Sequence, residues 1–187
     1  MKIRHRASLR VAGFTLIELL VVIALMSILL TLTLPSAFRT IQHQKILAFA
    51  QQTAILMRQA RLEAIKTAGN TVVQIDAAAG SVTAYADLNN NQTLDANEPL
   101  LGKLELTKGV TLLPVSGFTS PPSPAVAIFR SNGGVAAVGA FRFQDTNGDQ
   151  LEARVLTATS GRVQIRKLQD DGTWIANGEG GKAWTWK

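Results

Sequence analysis

The chain has 187 residues, no cysteine, and 19 Lys and Arg against 13 Asp and Glu, a formal charge of +6. Such a length accommodates a membrane helix and one small domain but hardly two domains. The absence of thiols excludes disulfides, so any exported part must fold on its apolar core alone. The basic excess is unevenly placed: Lys2, Arg4, Arg6 and Arg10 stand in the first 13 residues with no acid, and 19 less these four leaves 15 bases against 13 acids, or +2.

Residues 14–34, FTLIELLVVIALMSILLTLTL, follow that flank and supply the ~20 apolar residues that a helix needs to cross a bilayer. One carboxylate, Glu18, interrupts them. An ionisable group inside such a segment costs roughly 2.5–3.5 kcal/mol on insertion scales, so a partner is expected. A cut after Gly13 would free the α-amine of Phe14, four residues before Glu18, and the same amine on a neighbouring subunit could also reach the acid. Secretory cleavage differs, because it follows the apolar run, and no A-x-A site closes this one. Positive charge before the run keeps the N-terminus cytoplasmic and sends the residues after Leu34 across the membrane, in a bacterium into the periplasm.

Pro35 is expected to break or kink the helix, because it lacks an N–H and its ring clashes with the preceding turn. The helical pattern then resumes from Ser36 to Ala68. Ile41, Ala48, Ile55 and Leu62 recur every seven residues, joined by Leu47, Ala54, Met57 and Ile65, with Gln44, Gln51, Arg58, Gln59 and Lys66 largely on other faces. Gly69-Asn70 supplies a C-terminal stop. His43, among Gln and Lys, reads as solvated.

Beyond Gly69 the period becomes two. Residues 71–75, 81–87, 103–107, 110–115, 125–129, 140–144, 153–158 and 161–168 read as strands, with turns at Ala79-Gly80, Asn132-Gly133-Gly134 and Asn147-Gly148-Asp149. SGFTSPPSP (116–124) must be a loop, since three prolines cannot sit in a ladder. The tail from Gly172 carries all three Trp and is compatible with a last strand or with a loose end.

Three segments carry candidate chemistry. In DLNNNQTLDANE (87–98), Asp87, Asn89, Asn91, Thr93, Asp95 and Glu98 occupy the ligand positions of an EF-hand-like calcium loop. Gln92, however, stands where the sharp turn wants Gly, and the flanks read as strands, so a polar hairpin tip competes with weak calcium binding. DTNGD (145–149) is a shorter case that Asn-Gly explains as a turn. In SGRVQIRK (160–167), Arg162, Gln164 and Arg166 share a strand face and Lys167 follows, a basic stripe that phosphate could meet, against the alternative of a solvated strand face. No catalytic constellation is present, because the chain lacks cysteine, retains one His beyond the first 13 residues, and has no serine in a nucleophile elbow. No enzymatic role is expected, and calcium is the one cofactor the residues suggest.

Gly13, Phe14, Thr15, Leu16 and Glu18 resemble the type IV prepilin signature. That resemblance implies a prepilin peptidase cutting between Gly13 and Phe14 and N-methylating Phe14, with Glu18 acting in assembly. Together with QARLEAIKTAGN (59–70), the β-rich remainder and the late SGR strand, the chain resembles the family that joins H-type minor pseudopilins of type II secretion with FimT-type minor type IV pilins. The implied fold is α+β and type IV pilin-like, a long N-terminal helix whose amphipathic half packs on a mostly antiparallel sheet. The implied division is a cleaved leader (1–13), a transmembrane or filament-core helix (14–35), an amphipathic helix (36–70) and a periplasmic β-rich head with a Gly- and Trp-rich tail (71–187). The implied role is a single-pass inner-membrane subunit of a short pilus, partnered by the peptidase, by other pilins or pseudopilins and by the inner-membrane assembly platform. Some FimT-type members bind DNA through G-R-x-R. This chain has Gly161 and Arg162, Gln164 at the second arginine, and Arg166 on the same face, so DNA is the alternative partner.

Overall fold

The structure, a computed structural model, describes residues 14–118 and 125–187. The expected leader, Gly13 included, and most of the proline-rich loop lie outside the described residues. Two units are distinguished, one running to Phe38 and one from Arg39 to Lys187.

Helix α1 (Leu16–Thr67) is a single element of 52 residues. It begins with a reciprocal cap. Glu18 Oε2 accepts from the main-chain N–H of Thr15 at 2.8 Å and from its hydroxyl at 3.0 Å, while Thr15 Oγ1 accepts from the Glu18 N–H at 3.2 Å. The expected break at Pro35 is not seen, since α1 passes through it. Nearby, Ser27, Thr31, Thr33 and Ser36 donate their hydroxyls to carbonyls three or four residues earlier. Those bonds satisfy the hydroxyls where apolar surroundings offer no water. Every side chain from Phe14 to Leu34 is exposed.

In the second unit, α1 lies on two antiparallel sheets. The first has the order β3-β2-β1-β5, with β1 (Asn70–Asp76), β2 (Ser81–Asp87), β3 (Leu100–Glu105) and β5 (Ala125–Phe129). The second has the order β4-β6-β7-β8-β9, with β4 (Val110–Ser116), β6 (Ala140–Asp145), β7 (Gln150–Val155), β8 (Val163–Leu168) and β9 (Trp174–Ile175). All eight expected strands form, although β3 and β7 lie about two to three residues earlier than the runs at 103–107 and 153–158 implied. The hydrogen bonds of β7 start directly after the Asp145–Asp149 turn.

The inner faces of both sheets share one core with the helix. Val73 and Ile75 of β1, Phe141 and Phe143 of β6, and Leu151 and Ala153 of β7 meet Phe49, Met57 and Ala60, and Phe49 packs edge-on to Phe143 at 5.1 Å. The helical face that makes this contact is not the seven-residue stripe. Ile46, Phe49, Ala50, Thr53, Met57, Ala60 and Ala64 are buried, while Ile41, Ile55 and Leu62 are 45, 49 and 62% exposed. Both stripes are apolar at helical spacing. The alanines decide the contact, because small side chains let sheet and helix approach while larger ones hold them apart.

The helix also ends one residue early. Ala68, at φ 52°, takes the left-handed position that was expected of Gly69, and the Gly69 N–H closes the end on the Ala64 carbonyl at 3.2 Å. The tail completes the second sheet through β9 and then turns back. Trp184 and Trp186 pack on the core, and the Trp184 indole N–H donates to the Ile175 carbonyl at 2.9 Å.

Candidate functional site

Four places collect the chain's polar chemistry. At the N-terminus of α1, Phe14 and Glu18 lie among exposed apolar side chains. Both contacts of the Glu18 carboxylate described above use Oε2, and they come from its own helix. The T-x-x-E spacing of Thr15 and Glu18 is the sequence signal that marks such a box.

The 160–167 stripe is divided by the sheet. Arg166 stands opposite Glu152 in the β7–β8 ladder, and Arg142 stands opposite Glu152 in the β6–β7 ladder. The buried Glu152 carboxylate therefore meets Arg142 at 3.3 Å, Arg154 at 3.6 Å and Arg166 at 3.9 Å. Arg166 also donates to the Trp174 carbonyl. Lys167 alternates to the opposite face, as strand geometry demands. It is 2% exposed and its Nζ lies 2.5 Å from Asp149 Oδ1, so it is not on the surface that the sequence assigned to it.

Arg162 instead joins Arg58 and Arg61 of α1 around a cleft of about 390 Å³ also lined by Gly161 and Gln164. Arg58 donates to the Val163 carbonyl at 3.2 Å and Arg61 to the Gly133 carbonyl at 2.8 Å. Gly161 permits this arrangement. Its φ is +56°, and a Cβ there would meet Gly133 O at 2.4 Å and the Arg61 side chain at 3.1 Å. Among the described residues, none of these three guanidiniums lies in an ion pair with a carboxylate. Helix residues 58 and 61 are about one hundred positions from Arg162, and no spacing in the sequence links them.

The 87–98 segment closes the β2–β3 hairpin. Asp87 and Glu98 are buried at its base, where Asp87 accepts from the N–H groups of Asn91 (3.0 Å) and Gln92 (3.2 Å) and Glu98 from those of Leu88 (2.8 Å) and Asp95 (3.1 Å). Asn89 and Asn91 donate their amides to Asp95 Oδ2 at 2.7 and 2.8 Å, and their own oxygens take the N–H groups of Asn91 and Thr93. Gln92, the non-glycine at the turn position, has a φ of 61°. The side chains of Asp87, Asn89, Asn91, Asp95 and Glu98 thus accept or donate within the loop itself. Tyr85, buried beneath them, has its phenol pushed well above its usual pKa, first by burial and then by the Asp87 and Glu98 carboxylates.

The fourth place joins residues that the sequence left separate. His43 is not solvated; its ring stacks on Trp186 at 4.6 Å and its Nε2 lies 3.3 Å from Asp149 Oδ2. Asp149 also accepts from Lys167 and from the Lys187 N–H at 3.1 Å, and Lys167 sits over the Trp186 ring at 4.9 Å.

An apolar N-terminal helix continued by a helix packed on antiparallel sheets, preceded by a prepilin-type motif, defines a pilin-like protein, and residues 9–34 match the prokaryotic N-terminal methylation motif. Residues 50–161 match the type II transport protein GspH, and the chain belongs to that family. Solved structures similar to it include the minor pseudopilin EpsH from the type 2 secretion system of Vibrio cholerae, at 16% identity and a TM-score of 0.45 over 71% of this chain and 97% of that one. Another is the type IV minor pilin FimU of Pseudomonas aeruginosa, at 13% identity and a TM-score of 0.49 over 71% of this chain and 94% of that one. Among curated protein sequences there is no significant match.

Proposed function

We propose that the protein is a minor subunit of a short, inner-membrane-based pilus serving type II secretion or type IV pilus biogenesis, and that it acts by assembly rather than catalysis. The observation that carries this reading is α1 itself, whose residues 16–34 expose an apolar surface interrupted by one acid. A bilayer or a bundle of like helices is the environment that such a surface requires. Prepilin peptidase cuts after Gly13 and methylates Phe14, the N-terminus stays cytoplasmic and the head is periplasmic. With Thr15 held by Oε2, Glu18 Oε1 faces the Phe14 amine of an adjacent subunit, and the low dielectric strengthens that attraction and fixes register.

Intact-mass analysis of membrane-extracted protein should give a chain starting at methylated Phe14, and a bulky residue at Gly13 should leave the leader attached. Glu18→Ala should insert normally yet lose cross-links to other pilins. Retention of Met1 in cells containing the peptidase, or undiminished cross-linking, overturns the proposal.

The Arg58–Arg61–Arg162 cleft favours a second reading, extracellular DNA as a partner. Three phosphate contacts give a slope of log affinity against log salt of about −2.7. A triple alanine variant of these arginines should lose most of that slope in gel-shift titrations at two salt concentrations. Absence of retardation at low salt removes the reading.

A further inference from the structure

We propose that His43, Asp145 and Asp149 form a binding site for a first-row divalent metal ion of the zinc type. One ligand atom from each residue lies within 4.8 Å of the other two. The three come from α1 and from the two ends of the β6–β7 turn, so the fold gathers them without help from sequence proximity.

Asp145 is held by one oxygen and offers the other, whereas both oxygens of Asp149 have partners. Asp145 Oδ1 accepts the N–H groups of Asn147 and Asp149, both at 2.9 Å. Its Oδ2 is buried with no donor, in a residue only 6% exposed. An orphaned carboxylate oxygen inside a protein is an unbalanced acceptor, and a cation beside it removes the imbalance. Asp149 Oδ1 is fixed by Lys167, and Oδ2 accepts the Lys187 N–H at 3.1 Å and lies 3.3 Å from His43 Nε2, so a metal would share this oxygen with that N–H. The imidazole is held in place by its stack on Trp186. Such anchoring by neighbouring groups orients ligands at metal sites.

Charge and donor type point to the ion. Two carboxylates against the single ammonium of Lys167 leave negative charge for a cation. His43 Nε2 is set between Asp149 Oδ2 at 3.3 Å and the Lys187 main-chain oxygen at 3.2 Å, and in the tautomer with its hydrogen on Nδ1 it offers a lone pair to a metal there. Tetrahedral bonds of about 2.1 Å set ligand atoms about 3.4 Å apart, so donors now within 4.8 Å of one another must draw in to close on the ion. A nitrogen donor with two carboxylates suits zinc and its neighbours, whereas calcium and magnesium seek oxygen alone.

The test titrates zinc chloride into the metal-free full-length protein in detergent, by calorimetry and thermal melting. We expect one equivalent to bind, the melting temperature to rise by several degrees at about 100 µM zinc by mass action, and excess magnesium not to compete. Asp145→Asn keeps the Oδ1 acceptor and the shape. It and His43→Gln should each weaken binding at least tenfold, while Asp87→Asn in the other hairpin should not. If Asp145→Asn fails to fold, His43→Gln, which removes a side chain at the edge of the core, decides. Absence of saturable binding below about 1 mM zinc, or unchanged affinity in His43→Gln, overturns the proposal.

Discussion

Replacing Glu18 with Ala removes both the acceptor of the Thr15 cap and the charge set in apolar surroundings, whereas Gln keeps a side-chain oxygen at the same reach. We therefore expect Glu18→Gln to preserve insertion and helix start yet lose cross-links to other subunits. Thr15→Ala should lose about 1 kcal/mol of cap but keep the cross-links. Equal loss of cross-linking in both would assign Glu18 to capping alone. Two other residues hold unfavourable backbone: Ala68 and Gln92 have φ of 52° and 61°, in the left-handed region that costs a non-glycine roughly 1–2 kcal/mol. Ala68→Gly and Gln92→Gly should each raise the urea midpoint by a stability gain of about 1 kcal/mol. Gln92 looked like an objection to a calcium-type turn because sequence shows residue type and not φ; the backbone adopts the turn regardless. The oxygens of that loop already carry donors, so millimolar calcium is expected to change the melting temperature little. A rise of many degrees that Asp87→Asn with Glu98→Gln abolishes would show coordination instead.

The second half of α1 shows which part of an element its sequence reveals. A repeat of seven at Ile41, Ala48, Ile55 and Leu62 identifies a helix correctly, because seven residues are close to two turns. It does not identify the buried side: Ala54 and Met57, which join that repeat, are buried, but the rest of the contact comes from Phe49, Ala50, Ala60 and Ala64, a second apolar stripe. The strands were more legible. Where one face of a sheet is buried, alternation marks both the element and its direction, as at Phe141, Phe143 and at Val163 and Lys167. The tail reads equally as a last strand or a loose end in sequence, because the two residues of β9, Trp174 and Ile175, are too few to alternate. The two helix faces should respond in opposite ways. Ala60→Leu forces a larger side chain against the sheets and should cost about 1–3 kcal/mol. Leu62→Ser, on the exposed stripe, should stay within about 0.5 kcal/mol while reducing incorporation into filaments, measured by denaturant unfolding beside co-purification with other pilins. A destabilised Leu62→Ser would mean that this stripe serves the subunit's own fold.

Across the whole head, residues 43, 145–149, 167 and 186 meet although no local pattern relates them, which is why His43 read as solvated and DTNGD as a plain turn. Their meeting ties the helix, the β6–β7 turn, β8 and the returning tail into one unit. The tie rests on a buried ion pair, whose burial costs nearly as much as its attraction returns and whose two halves are unequal when one is lost. Without Asp149, the ammonium of Lys167, 2% exposed, keeps only the Leu168 carbonyl at 3.5 Å and the Trp186 ring. Without Lys167, Asp149 still faces His43 and the Lys187 N–H. Asp149→Ala should therefore cost about 3–5 kcal/mol, and Lys167→Met, similar in volume and apolar, distinctly less. Trp186→Ala should fall between them at about 2 kcal/mol, because its ring is only half-buried. Its loss should couple to that of His43 by about 0.5–1.5 kcal/mol in a double-mutant cycle. Urea unfolding followed by far-ultraviolet dichroism measures these variants and the two further members of the cycle. A cost below about 1 kcal/mol for Asp149→Ala would show that Lys167 finds water once its partner is gone, and that the tail closes the head more loosely than the structure places it.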